Sequence, residues 1–262
     1  MSDGKRALIT GASSGIGEAF AHQLAERGYA ITVVARREER LKELIATLPG
    51  SGHQVVAADL GSEAGIATVE QAIAAERYHL VVNNAGFSVL KPFGESTLEE
   101  QRAILDVNCT AVVCISHRFL AQAESGDALI NVASVVATLP TPAQPMYSGS
   151  KAFLASFSEC LWEEQRERGV YVMALCPGVT RTEFISTATG GEADGDTIPD
   201  ALVQTSDEVV QEALRALDQR KKPWVVTGGV NRFMAAVFPR VLSRHRLLKV
   251  LAVMGDPERA LN

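Results

Sequence analysis

Tyr147 and Lys151 are the residues through which this sequence most directly offers chemistry. They stand at i and i+4 in Tyr147-Ser148-Gly149-Ser150-Lys151, at the head of a helix-like run, so a helix sets both on one face. A phenol with a pKa of about 10 is a poor general base near neutrality. A neighbouring ammonium favours the phenolate, and lowering that pKa by about three units takes roughly 4 kcal/mol of differential interaction. Ser134 lies thirteen residues earlier, at the end of a strand-like run. Its hydroxyl there can hydrogen-bond a carbonyl or alcohol oxygen. Tyr-x-x-x-Lys alone is most often a surface pair on a helix; Ser134 and a turn upstream change its meaning.

That turn is Gly11-x3-Gly15-x-Gly17, with Ser13, Ser14 and Ile16 inside it. It follows the apolar run at 7–10 and opens a helix-like stretch, which is where backbone can approach a phosphate and the helix N-terminus can attract it. The spacing differs from the commoner Gly-x-Gly-x-x-Gly, and a ligand-free strand–helix turn is its alternative. The next strand, 30–35, runs into Arg36-Arg37 before the first acid, Glu38. An acidic residue about twenty positions beyond the glycines binds the ribose hydroxyls of NAD. A guanidinium there suits a 2′-phosphate instead, so Arg36 points to NADP(H), against the alternative of a solvated charge cluster. Asp59-Leu60 and Asn83-Asn84-Ala85-Gly86 close the third and fourth strand-like runs. Asp59 is otherwise a helix cap, and the second motif otherwise a plain turn.

The elements that must hold these residues alternate. Strand-like runs fall at 7–10, 30–35, 54–58, 80–83, 129–133, 170–176 and 224–227, several of them continuously apolar and β-branched. Helix-like runs fall between them, at 38–47, 63–76 and 98–123, the last opened by overlapping capping boxes in Ser96-Thr97-Leu98-Glu99-Glu100. The expectation is one α/β domain over residues 1–262: a Rossmann-like, doubly wound parallel sheet of about seven strands, helices on both faces, ligand at the strands' carboxyl ends.

With 262 residues, 47% of them hydrophobic, there is ample material for a core. A net charge of −6 argues against nucleic acid as a partner. Cys109, Cys114, Cys160 and Cys176 have no metal spacing and sit among apolar neighbours, so the expectation is reduced core cysteines, no metal site and a cytoplasmic protein. Nothing at the start reads as a signal peptide, and no uninterrupted apolar run reaches membrane-spanning length.

Over roughly residues 5 to 230 the chain resembles the short-chain dehydrogenase/reductase family. The motifs stand in family order: Thr10-Gly11-x3-Gly15-x-Gly17, Asn83-Asn84-Ala85-Gly86, Asn108, Ser134, Tyr147-x3-Lys151 and Pro177-Gly178. The resemblance implies that Tyr147 is the general acid/base, that Lys151 lowers its pKa and holds the nicotinamide ribose, and that Ser134 polarises the substrate. It implies that Asn108 supports a water relaying protons to Lys151. It puts Ser13, Ser14 and Ile16 at the pyrophosphate, Asp59 and Leu60 at the adenine, and Asn83, Ala85 and Gly86 along the adenosine-side ribose. Pro177, Gly178, Val179 and Thr182 would pack on the nicotinamide. A homodimer or homotetramer through the 98–123 and 151–167 helices is also implied, with Phe153, Leu154, Phe157 and Trp162 able to serve.

Two stretches stay open. The Gly/Thr/Asp-rich stretch within 183–205 suits a substrate lid or an ordinary loop. Phe184 and Ile185 at its root, with Phe87, Val135 and Val136, suggest an apolar substrate. The apolar and basic extension at 230–262 forms no clean stripe on a helical wheel. Packing over the pocket or against another subunit is expected of it, with membrane-surface contact the alternative. Together these features predict an NADP(H)-dependent oxidoreductase interconverting a carbonyl and a secondary alcohol. The rivals are an NAD-dependent alcohol dehydrogenase and a non-catalytic NADP-binding regulator.

Overall fold

The β-branched runs form the strands they predict, and their alternation decides which helix covers which face. A computed structural model describes residues 4–142, 144–184, 188 and 203–255. Seven parallel strands make the main sheet: β1 (Arg6–Thr10), β2 (Ala30–Ala35), β3 (Gln54–Ala57), β4 (Leu80–Asn83), β5 (Ala128–Val132), β6 (Tyr171–Cys176) and β9 (Trp224–Val226), in the order β3-β2-β1-β4-β5-β6-β9. Ala7 of β1 pairs with Ile31 on one side and Leu80 on the other. The chain therefore reverses its direction of travel across the sheet at β1/β4, the crevice where such sheets bind ligands.

Successive residues point to opposite faces. Ile9, Ile31 and Val33 join a core with Phe20 and Leu24 of α1 (Gly15–Glu26), Leu41 of α2 (Glu38–Thr47), and Val209 and Leu214 of α7 (Ser206–Gln219). Leu8 and Val34 join a second core with Ile66 and Ile73 of α3 (Glu63–Ala75) and Ile115 and Phe119 of α5 (Ala111–Leu120). Both faces are covered, so strands with no polar side suffice.

The helix expected over 98–123 is three pieces: α4 (Leu98–Leu105), a π-turn (Asp106–Thr110) and α5, which stops at Leu120. Of the two overlapping capping boxes Thr97 closes, its hydroxyl accepting from Glu100 N at 3.1 Å while Glu100 Oε2 accepts from Thr97 N at 2.8 Å. Among the described residues Leu98–Leu120 is the helical stretch long and apolar enough to cross a membrane. Here Ala111, Ile115 and Phe119 are buried against the sheet. Only Cys176 of the four cysteines is buried; Cys109 and Cys114 are half-buried and Cys160 is exposed, which corrects the expectation that all belong to the core.

After β6 a short pair, β7 (Val179–Thr180) and β8 (Val203–Gln204), runs parallel beside the main sheet, an element the sequence reading lacked. Most of the expected lid, with Ile185, lies between these strands outside the described residues. The extension is not one helix. It is α8 (Gly229–Val241), with Pro239 inside, then extended backbone at Leu242, then α9 (Arg244–Gly255). Leu247 and Leu251 are buried with Leu139, and Met234, Phe238 and Leu242 pack against them. The tail thus caps its own chain just beyond β5.

Candidate active site

At the carboxyl ends of β1 and β4–β6 lies a cleft of about 590 Å³. Gly11 (φ +65°) and Gly15 (φ +60°) take backbone angles that side chains resist. A Cβ on Gly17 would stand 2.3 Å from the Gly11 carbonyl oxygen, so only glycine lets α1 start this close to the strand. Ser14 caps α1 in position but makes no side-chain capping bond, leaving the first N–H groups of the helix for a ligand. A Cβ on Gly86 would come within 3.1 Å of Asn108 Oδ1 and 3.2 Å of Lys151 Nζ. The turn and this bare backbone form a cradle that a side chain would fill, and they fit a dinucleotide.

Basic groups stand where β2 ends at the cleft. Arg36 is exposed, lines the cleft, and makes no hydrogen bond or ion pair among the described residues. Arg37 reaches back over the turn, donating through Nη2 to Ser13 Oγ (3.0 Å) and Ser14 Oγ (3.3 Å). Its Nη1 pairs with Glu183 Oε2 at 3.1 Å, and Arg40 holds the other oxygen of Glu183 at 2.8 Å.

At the opposite end, α6 (Pro145–Gln165) sets Tyr147 and Lys151 on one face, both buried. Ser134 follows β5 with its hydroxyl accepting from Val136 N at 3.3 Å. Lys151 Nζ donates to the Val132 carbonyl at 2.8 Å and lies 5.6 Å from the centre of the Tyr147 ring. The Phe184 ring sits on the same tyrosine at 5.4 Å. Burial pushes the Tyr147 phenol up to about 12 against the pull of a hydrogen bond with Ser134, and burial pushes Lys151 down to about 8. Both groups lose solvent, and Lys151 donates a hydrogen bond to a backbone carbonyl.

Most expected contacts line this cleft: Gly11, Ser13, Ser14, Gly15, Ile16, Arg36, Asp59, Leu60, Ala85, Gly86, Ser134, Tyr147, Lys151, Pro177, Gly178, Val179 and Thr182. Asp59 is no helix cap; its Oδ1 accepts from Gly61 N at 3.1 Å, while Ser62 caps α3. Gly17, Asn83 and Asn108 stand behind the lining. Asn83 is a correction: its side chain turns into the sheet and donates to Asn131 Oδ1 (2.9 Å) and Ser116 Oγ (3.1 Å). Asn84 lines the cleft in its place, tied to Thr10 O at 2.9 Å. The Asn108 side chain is engaged with Phe87 N and O and with Ser150 Oγ, all at 3.1 Å, so it fixes the backbone just after Gly86. Sequence reasoning missed Gln144, Leu90 and Glu183, which also line the cleft. Only the position of Gln144, three residues before Tyr147, hinted at the site.

A parallel sheet with a glycine turn at its switch point and a buried tyrosine–lysine–serine group beside it defines a nucleotide-dependent α/β oxidoreductase. The short chain dehydrogenase family model matches residues 5–192, and the chain belongs to that family. It is 31% identical over 222 residues to 17-beta-hydroxysteroid dehydrogenase type 3 of Rattus norvegicus, covering 81% of this chain and 69% of the relative. A short-chain dehydrogenase from Sphingobium yanoikuyae solved with NADPH shares 29% identity at a TM-score of 0.78, covering 92% of this chain and 99% of that one. The 3-ketoacyl-(acyl-carrier-protein) reductase from Brucella melitensis, solved with NADH, shares 27% identity at a TM-score of 0.74, covering 87% and 98%. A nicotinamide cofactor is common to these structures, and which of the two forms is used varies among them.

Proposed function

We propose that this protein reduces a carbonyl to a secondary alcohol, and runs the reverse oxidation, with NADP(H). The observation that carries the reading is the buried phenol of Tyr147 lining the cleft with Ser134 and Lys151, the ammonium 5.6 Å from its ring centre. When bound, the nicotinamide supplies or takes up the hydride. Tyr147 gives its proton to the developing alkoxide, and Ser134 donates a hydrogen bond to the same oxygen, a stabilisation often worth several kcal/mol. Lys151 carries positive charge towards the phenol as the proton leaves. Asn108 keeps the Phe87 backbone, and with it the neighbouring Gly86, in place for the cofactor.

Arg36 and Ala35 favour NADP(H): the guanidinium meets a 2′-phosphate, and no acid stands where the NAD ribose hydroxyls would need one. Phe87, Leu90, Val135, Val136 and Phe184 along the cleft favour an apolar substrate, in keeping with the name of the rat relative. The test is a panel of apolar ketones and secondary alcohols assayed with each of the four cofactor forms. Turnover is expected with NADPH on ketones; binding of NADPH without turnover of any substrate would return the protein to a regulatory role.

A further inference from the structure

The arginines that follow β2 are not equivalent. Arg36 is free among the described residues, whereas Arg37 and Arg40 share one carboxylate, Glu183, at 3.1 and 2.8 Å. Glu183 follows Thr182, whose methyl would lie 2.8 Å from a Cβ on Gly15, and precedes Phe184 on the Tyr147 ring. Glu183 and Arg37 both line the cleft. Arg37 simultaneously donates to Ser13 and Ser14, so one guanidinium touches the turn and the carboxylate together.

We infer that Glu183 is a specificity-determining residue that competes with the cofactor's 2′-phosphate for Arg37 and Arg40. This rests on the reading of Arg36 as the phosphate contact. Arg37 lines the cleft beside Arg36, and the charge of Arg37 and of Arg40 behind it is already countered by a carboxylate on the cleft wall. Like charges at this range repel, and the repulsion falls with added salt. Glu183 therefore holds the preference for the phosphorylated cofactor below what three arginines would give. The Glu183 carboxyl is correspondingly held below the usual carboxylate range by hydrogen bonds from Arg40 and Arg37. The pairs are half-exposed, which limits the effect to that of exposed ion pairs.

The experiment is calorimetric titration of the full chain and Glu183→Gln with 2′,5′-ADP and with 5′-ADP. Glutamine keeps the shape and removes the charge. The variant should bind 2′,5′-ADP about three- to tenfold more tightly at low salt, with the gain shrinking at high salt, and 5′-ADP within about twofold. A wild-type preference for 2′,5′-ADP that Glu183→Gln leaves unchanged or weakens would overturn the competition alone. Equal wild-type affinity for the two nucleotides would overturn the phosphate reading of Arg36 and the inference with it.

Discussion

At the scale of single residues, the site is governed by what burial does to proton affinity. Lys151 binds its proton less tightly in the fold than in water, its pKa lowered from 10.5 to about 8, while Tyr147 binds its proton more tightly, at about 12. Above about pH 8 Lys151 becomes neutral while Tyr147 remains a donor. Steady-state kcat/KM for carbonyl reduction should therefore fall through one ionisation near pH 8; a flat profile to pH 10 would refute the assignment to Lys151. Arg36→Ala should cost about 10- to 150-fold in NADPH affinity, the worth of one charged hydrogen bond, and leave NADH affinity nearly unchanged. Fluorescence titration with both cofactors reads this directly. An unchanged ratio would remove Arg36 from the phosphate site. The residue types of the site were legible in the sequence, but two placements were not. Asn83 and Asn84 are adjacent, and only the strand's register, with Asn83 opposite Asn131, decides which side chain turns into the sheet. Glu183 looks like any loop acid until the fold brings Arg37 and Arg40 to it.

At the scale of elements, glycine spacing and apolar runs were sufficient for the strands and the phosphate turn. A methyl on Gly17 has backbone as its obstacle, at 2.3 Å, and no flexible side chain can yield. Gly17→Ala should therefore cost about 1–3 kcal/mol of stability and lower the melting temperature by several degrees. Differential scanning fluorimetry with and without NADPH would show it, along with weakened protection by the cofactor. Helix interruptions were less legible. The π-turn at Asp106–Thr110 carries no glycine or proline to announce it, yet it sets Asn108 against Phe87. The tail defeated a single helical wheel because Leu242 breaks it into two helices with different inward faces. With Leu139, Leu247 and Leu251 buried together, truncation after Gly229 should lower solubility and activity. A soluble, active truncated protein that has lost only vesicle binding would favour the membrane-surface role instead.

At the scale of the whole molecule, a sheet buried on both faces makes a rigid floor, and the site stands at the carboxyl ends of its strands, on the turns there and on the first turns of α6. Of the residues the sequence offered for a subunit interface, Leu154 is buried in the chain's own core, and Trp162 is partly buried against it. Phe153, stacked on Phe157, remains 41% exposed, with Leu98 at 62% and Val113 at 38% on the neighbouring helices. A homo-oligomer through that surface is the expected state, and light scattering that gives a monomer at micromolar concentration would refute it. The central claim concerns the phenol of Tyr147, and Tyr147→Phe tests it most directly, because the ring against Phe184 is kept and only the transferable proton is lost. Turnover of a ketone the wild type reduces should be measured beside NADPH affinity on the same protein. The account predicts a loss of about 10²- to 10⁴-fold in kcat with cofactor affinity held within a few-fold. Near-normal turnover in that variant would contradict it.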